Sequence, residues 1–230
     1  ELGLDVHWAI LGAGRPDLTA AVESTLTALG RDVPTWPAHT AAAEPPGTTT
    51  GSFLRGLFCG GTLADEAILV AGELLGAPIH SNLAADQSLR ISGHERHDGH
   101  LIIDFGDDEL TQGRAHPMID PSLRMERIAA EAADPTCGVL LLDLVLGHGS
   151  HADPAGDLAD AIRAARIQAH GEGRALPVVV SLTGTDADPQ RYARTAETLA
   201  GAGASVFLSN AAAARHAVSA LSGSTFGGVR

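Results

Sequence analysis

The sequence predicts an α/β fold, a doubly wound sheet of five parallel strands with helices on both faces, preceded by a short helical unit. Three observations predict it. From residue 53 onward, short apolar runs alternate with helix-patterned stretches in five successive units. The runs are apolar throughout, as strands buried on both faces are. Several of the helical stretches open on an Asp-Pro pair, a capping carboxylate followed by the residue favoured at the first helical position.

Taken in order, residues 1–36 form a first unit, read as the remnant of a preceding domain. Within it Asp5–Leu11 is a strand or a helix end. Asp17 caps a helix that runs through Leu29 and stops at Gly30. Residues 37–52, PAHTAAAEPPGTTTGS, make a linker, and 53–230 make the main domain. Its first strand is Phe53–Cys59. The helix Leu63–Leu75 follows and ends at Gly76, with Thr62 and Asp65 as a shortened capping box. A polar loop covers 76–99. Strand His100–Phe105 and a loop to Asp120 lead into helix 121–133. Strand Val139–Val145, helix 154–169, strand Pro177–Leu182 and helix 189–200 come next. Strand Ser205–Leu208 and helix 211–221, capped by Asn210, complete the series. Five such units predict the flavodoxin-like strand order.

Composition bounds the chemistry. All 15 basic side chains are Arg, against 28 carboxylates, for a formal net charge of -13. Without Lys there is neither a P-loop nor a Schiff base. An acidic chain has no counterion-release drive toward nucleic acid or an anionic membrane. Any anionic ligand must be held by backbone N–H groups, helix N-termini, His and a few Arg. Arg55, Arg90, Arg96, Arg114 and Arg124 are the first candidates by position. Aromatics are only 3%, so the core is Leu, Val, Ile and Ala and no stacking platform exists. Cys59 and Cys137 read as small buried hydrophobes in a reducing cytosol. The sequence shows no apolar run of about 18 residues and no signal-peptide pattern, which predicts a cytoplasmic location. It opens on Glu1, as a processed or partial chain would.

In an open parallel sheet, ligands bind beyond the carboxyl ends of the strands, and polar residues gather there. Gly60, Gly61 and Thr62 follow the first strand and could let an anion approach a helix N-terminus. Thr183 and Gly184 are the matching candidates after the fourth strand. Asp104, Asp107 and Asp108 follow the second strand and could shift one another's pKa or hold Mg²⁺. Asp104 is the catalytic candidate among them. Arg114 and His116 come next as substrate-binding candidates, with Asn210 after the fifth strand. His148 and His151, in GHGSH after the third strand, are candidate nucleophiles or acid–base groups. The run His80, His94, His97 and His100 lies in polar, Gly-bounded sequence and reads as loop; no metal site is assigned.

The segments GLFCGGTLADEA (56–67), IIDFGDDELTQGRAHPMIDPSLR (102–124), LLLDLVLGHGSHADPAGDLADAI (140–162) and PVVVSLTGTDADPQ (177–190) resemble the FdrA-type proteins, relatives of succinyl-CoA synthetase. The resemblance covers about 53–221 and, more weakly, DLTAAV at 17–22. It implies a CoA-ligase-type domain of flavodoxin-like architecture. It also implies helix N-termini aimed at a phosphoryl group and a phosphohistidine loop. Two departures accompany it. The CoA-binding Rossmann half of a full-length member is not in these residues. The loop TGTDADPQRYAR lacks the His that synthetases place there in a GHAG motif, so His148 or His151 would have to serve.

The leading expectation is therefore an acyl-CoA ligase-family subunit handling an acyl-CoA or acyl phosphate. The resemblance carries a second one, a carbamoyltransferase subunit acting between carbamoyl phosphate and a small carboxylate such as oxamate. A non-catalytic assembly domain is the third. CoA, a nucleotide and Mg²⁺ are the cofactor candidates. A small anionic substrate, a partner subunit and an oligomer are the expected partners.

Overall fold

The computed structural model describes residues 6–42, 51–93 and 95–222. Its elements are α1 (Leu18–Ala28), β1 (Ala38–His39), β2 (Phe53–Phe58), α2 (Gly61–Leu75), β3 (Ile79–His80), β4 (His100–Asp104), α3 (Asp108–Thr111), α4 (Ser122–Ala132), β5 (Cys137–Val145), α5 (Pro154–Gly171), β6 (Val178–Thr183), α6 (Tyr192–Gly201), β7 (Ala204–Phe207) and α7 (Asn210–Ser222).

The sheet runs β1-β7-β6-β5-β2-β4-β3. Its five inner strands stand in the flavodoxin-like order, and all their pairings are parallel. Among the described residues the strand count is seven, not five. The two extra strands are two residues long and sit at the edges. β3 extends the sheet in parallel beyond β4, and β1 pairs antiparallel with β7. Neither could be read from sequence, because two residues are too short for a periodic signal.

The two faces of the sheet bury separate apolar layers. Leu57, Leu101, Ile103, Leu140, Leu142 and Val180 pack against α4, α5 and α6. Leu54, Phe58, Ile102, Leu141 and Val179 pack against α2 and α7. Alternate residues of strands that are apolar throughout thus feed opposite layers, the double burial that parallel strands require.

Helix ends refine the expected caps. Asp17 and Asp153 cap α1 and α5 through side-chain hydrogen bonds from Ala20 N and Gly156 N, and Gly76 closes α2 in the left-handed conformation. Others differ. α2 begins at Gly61 with Gly60 at N-cap, so Thr62 lies inside the helix and makes no capping box. α4 begins one residue after Pro121, with Asp120 Oδ1 accepting from Ser122 N. Asp188 accepts instead from Thr185 N at 2.7 Å, tying the preceding turn, and α6 begins only at Tyr192. Ser209 rather than Asn210 accepts from the first turn of α7, at Ala212 N. Residues 6–11 are irregular.

The helix of the first unit docks on the α2/α7 layer. Leu18 N donates to Glu66 Oε1 at 2.7 Å, Thr19 and Ser209 share a hydrogen bond, and Arg215 pairs with Asp17. Of the stretch read as linker, Ala38–His39 form β1, whereas 43–50 lie outside the described residues.

Candidate functional site

The connectivity reverses between β2 and β5, so the crevice beyond their carboxyl ends is where such a sheet accepts a ligand. Cys59 leaves β2 there. Asp143, fully buried, stands near the end of β5. Its Oδ1 accepts from Cys59 N at 2.9 Å, from the Cys59 thiol at 3.1 Å and from Arg124 Nη1 at 2.7 Å. Arg124 is itself only 2% exposed and comes from the first turn of α4. The same Nη1 reaches Asp143 O and Cys59 Sγ.

This ion pair is not used up. Arg124 Nε and Asp143 Oδ2 are both buried without a hydrogen-bond partner. Leaving a buried polar atom unpaired costs about 1–3 kcal/mol, so this buried pair keeps one unspent donor and one unspent acceptor. Burial, more than any neighbour, pushes the Cys59 thiol far up. Burial thus favours the protonated thiol, which is a poorer nucleophile than the thiolate. A narrow cleft opens beside this cluster, lined by Cys59, Arg124 and His151 with Met118, Met125 and Leu144.

Asp104 ends β4, next to β2, and is 5% exposed. Its backbone is clamped by Asn82, which donates to Asp104 O and accepts from Asp104 N. Oδ1 accepts from Gly106 N at 2.8 Å. Burial foremost raises its carboxyl above the usual range, opposed by the Gly106 hydrogen bond and reinforced by Asp143 and Asp107. His116 stands across Gly106 from it. Asp107 caps the short α3 and Asp108 is exposed. Among the described residues, no group of three or more His, Cys, Asp or Glu is placed to hold a metal ion.

The β5–α5 loop carries His148 and His151. His148 lies exposed between Gly147 and Gly149. His151 is anchored: its N–H donates to Met118 O at 2.7 Å and its Nδ1 accepts from Asp153 N. Its Nε2 stands 3.7 Å from Asp157. One side chain ties this loop to the next. Gln190 Nε2 donates to the carbonyls of Gly147 and His151 and to Ser150 Oγ, and its Oε1 accepts from Gly147 N.

The remaining expected residues fall in separate places. Gly60, Gly61 and Thr62 form the start of α2, where no side chain caps the backbone N–H groups. Thr183 and Gly184 end β6, two strands from β2, hence about 10 Å away. Arg114 is exposed on the loop after α3. Asn210 is buried, and its amide donates to Leu63 O and Glu66 Oε2, joining α7 to α2. Of the Arg candidates, Arg124 belongs to the crevice and Arg55 to the opposite end of the sheet. His80 and His97 pack edge to face with ring centres 3.7 Å apart, and His94 lies outside the described residues.

Sequence reasoning passes over Asp143 and Gln190 and reads Cys59 as a plain hydrophobe. A signal existed for the first. One Asp within LLLDLV, a strand buried on both faces, demands a buried partner. Nothing marked Gln190, whose role arises only when two loops meet.

Comparison with known proteins places this geometry. The family model described as CoA-ligase matches residues 57–220. The uncharacterized protein YahF of Escherichia coli (strain K12) is 42% identical over 151 residues, which cover 66% of this chain and 29% of that protein. The chain thus aligns with well under half the length of that relative. No helix among the described residues is long and apolar enough to cross a membrane.

Proposed function

We propose, from the premise that the chain belongs to the CoA-ligase family, that it is the subunit that holds a small acyl group at the β2/β5 crevice while that group passes between phosphate and a thiol. The observation that supports this best is the buried Arg124, whose Nε is unspent beside a narrow, mostly apolar cleft. A carbonyl oxygen gaining negative charge in the transition state is what such a donor stabilises. The uncapped start of α2, through Gly60, Gly61 and Thr62, offers backbone N–H groups to the phosphate end. CoA enters as a substrate delivered to this edge.

A second reading, carbamoyl transfer between carbamoyl phosphate and a small carboxylate such as oxamate, is favoured by the partner of that donor. A carbamoyl group carries an oxygen for Arg124 Nε and an N–H for Asp143 Oδ2, the two atoms left unspent. An acyl group has nothing to give Asp143.

The test uses the full-length protein with its partner subunits. Acetyl phosphate with CoA, and carbamoyl phosphate with oxamate, are each followed for phosphate release. The acyl reading expects the first pair to be consumed and Arg124→Gln to slow it by about 100-fold, the scale of losing one oxyanion donor. Turnover of the second pair alone selects carbamoyl transfer. Neither pair reacting, with the complex intact, leaves an assembly role. Acid-labile, base-stable phosphoprotein lost in His148→Ala or His151→Ala would add a phosphohistidine step.

A further inference from the structure

Two titratable groups at this edge are brought together by the fold although twelve positions separate them in the chain. Asp104 is buried at the end of β4 and His116 is exposed on the loop that returns over it. Between them lies Gly106. A Cβ on residue 106 would stand 2.7 Å from His116 Nε2, 3.0 Å from the Cys59 carbonyl oxygen and 3.1 Å from Asp104 Oδ1. The missing side chain leaves the space between the imidazole and the carboxylate open.

The ring is also oriented. Met118 N donates to His116 Nδ1 at 3.3 Å. A neutral imidazole accepting there carries its proton on Nε2, the nitrogen that faces Gly106 and the carboxylate. The His116 carbonyl accepts from Ile119 N and Asp120 N, which fixes the turn that bears the ring. On the other side, a Cβ on Gly61 would lie 3.3 Å from Asp104 Oδ2. One carboxyl oxygen thus faces the start of α2 and the other faces His116. The charged and titratable groups around the pair are Cys59 from β2, Asp143 from β5 and Asp107 from the same loop.

We propose that Asp104 and His116 are a proton-transfer pair, held together across Gly106, that serves the ligand of the β2/β5 crevice. The pairing stands on the geometry, and the identity of the reacting group rests on the acyl-transfer reading. Asp104 gives its proton to the departing phosphate oxygen as the acyl–oxygen bond breaks and the bond to the attacking nucleophile forms. The nucleophile's own proton leaves to water. His116, open to solvent, takes a second proton from water and returns one from Nε2 to the carboxylate through one water in the space that Gly106 leaves open. The buried acid is thereby recharged from the solvent-exposed loop. Raising of the Asp104 carboxyl by burial suits the same role.

The test reads the pair twice in the full-length protein. First, ¹³C-labelled His116 is followed by NMR against pH. The expected curve has a second inflection from Asp104, absent in Asp104→Asn, present in Asp104→Glu, and lost in Gly106→Ala, which alters neither group but lifts the ring away. Second, consumption of acetyl phosphate should fall by about 100-fold or more in Asp104→Asn. It should fall by a smaller factor in His116→Ala, with partial recovery on adding imidazole. A single His116 inflection, identical in the wild type and Asp104→Asn, overturns the pair. So does unchanged consumption in Asp104→Asn. If the wild type consumes no acetyl phosphate, the acyl reading fails, and the NMR curves alone decide the pair.

Discussion

The two ends of the sheet each bury an arginine–carboxylate cluster, and they are built to opposite ends. At the amino end Arg55 is fully buried, and every one of its nitrogens is engaged. Nε meets Glu131 at 2.9 Å, Nη1 donates to the Gly99 carbonyl, and Nη2 reaches His97 O, Asp134 and Thr136 Oγ1. Arg127 pairs with the same Glu131 and donates to Gly93 O and Glu95 O. Two guanidiniums, one from β2 and one from α4, thereby staple Gly93 and the irregular 95–99 segment in place, backbone carbonyls taking the charge. At the carboxyl end Arg124 and Asp143 pair just as closely but keep Nε and Oδ2 unspent. A saturated buried pair serves the fold. An unsaturated one leaves bonding capacity for something that arrives later.

The largest expected effect breaks the saturated end. Arg55→Met strips Glu131 and Asp134 of their shared cation and three acceptors of their donors. It should lower the unfolding free energy by about 3–5 kcal/mol, measured by urea denaturation. A smaller loss, under about 1 kcal/mol, would mean that Arg127 carries the cluster alone.

Next, double substitutions separate the two ends. Arg124→Met with Asp143→Asn keeps an acceptor for Cys59 N and removes both charges. The protein should stay within about 1–2 kcal/mol of wild type while losing acetyl phosphate turnover. Arg55→Met with Glu131→Gln should remain several kcal/mol down, roughly 2–4, because the Gly99 and His97 carbonyls still lack donors. Equal stability of the two doubles would erase the distinction.

Titration should pull the ends apart in opposite directions. At the amino end His97 and His100 are lowered from 6.5, chiefly by burial, with Arg55 adding repulsion to both and His80 to His97. Their neutral forms are favoured in the fold, so that stability is intact above 6.5 and is lost as pH falls toward the lowered folded values. At the carboxyl end Asp104 is raised from 3.8. Its contribution is intact below 3.8 and is lost as pH rises through the raised folded value. Hydrogen exchange against pH should therefore loosen 95–99 on acidification. Asp104→Asn should stabilise the protein at neutral pH and lose that advantage in acid.

Much of the architecture was legible because it follows from periodicity. Apolar runs such as LLLDLV and PVVVSL announce doubly buried strands, and the Asp17 and Asp153 caps fall where the sequence puts them. The misplaced starts have local causes. Asp188 is diverted to the turn at Thr185, so Pro189 opens no helix. The site was legible as an edge and less so as a set of partners. Asp104 and His116 are named by sequence, but only the fold shows them on either side of Gly106. Arg124 was one of five arginine candidates, and only the fold shows that it pairs with Asp143 beside the crevice while Arg55 serves the other end.

The smallest effect concerns the loops. Gln190→Ala should cost about 1 kcal/mol, since its hydrogen bonds lie near the surface. It should broaden the backbone signals of 147–151 and leave the amino end unchanged.

The two-residue edge strands have a consequence for assembly. An exposed sheet margin invites other chains to add on, and natural folds blunt it. Here both margins end in strands too short to template a partner: β1, turned antiparallel against β7, and β3 beyond β4. Among the described residues, a strand added at either margin would find only two residues to pair with. The helix faces and the loops around the crevice are the broader surfaces that the described residues offer.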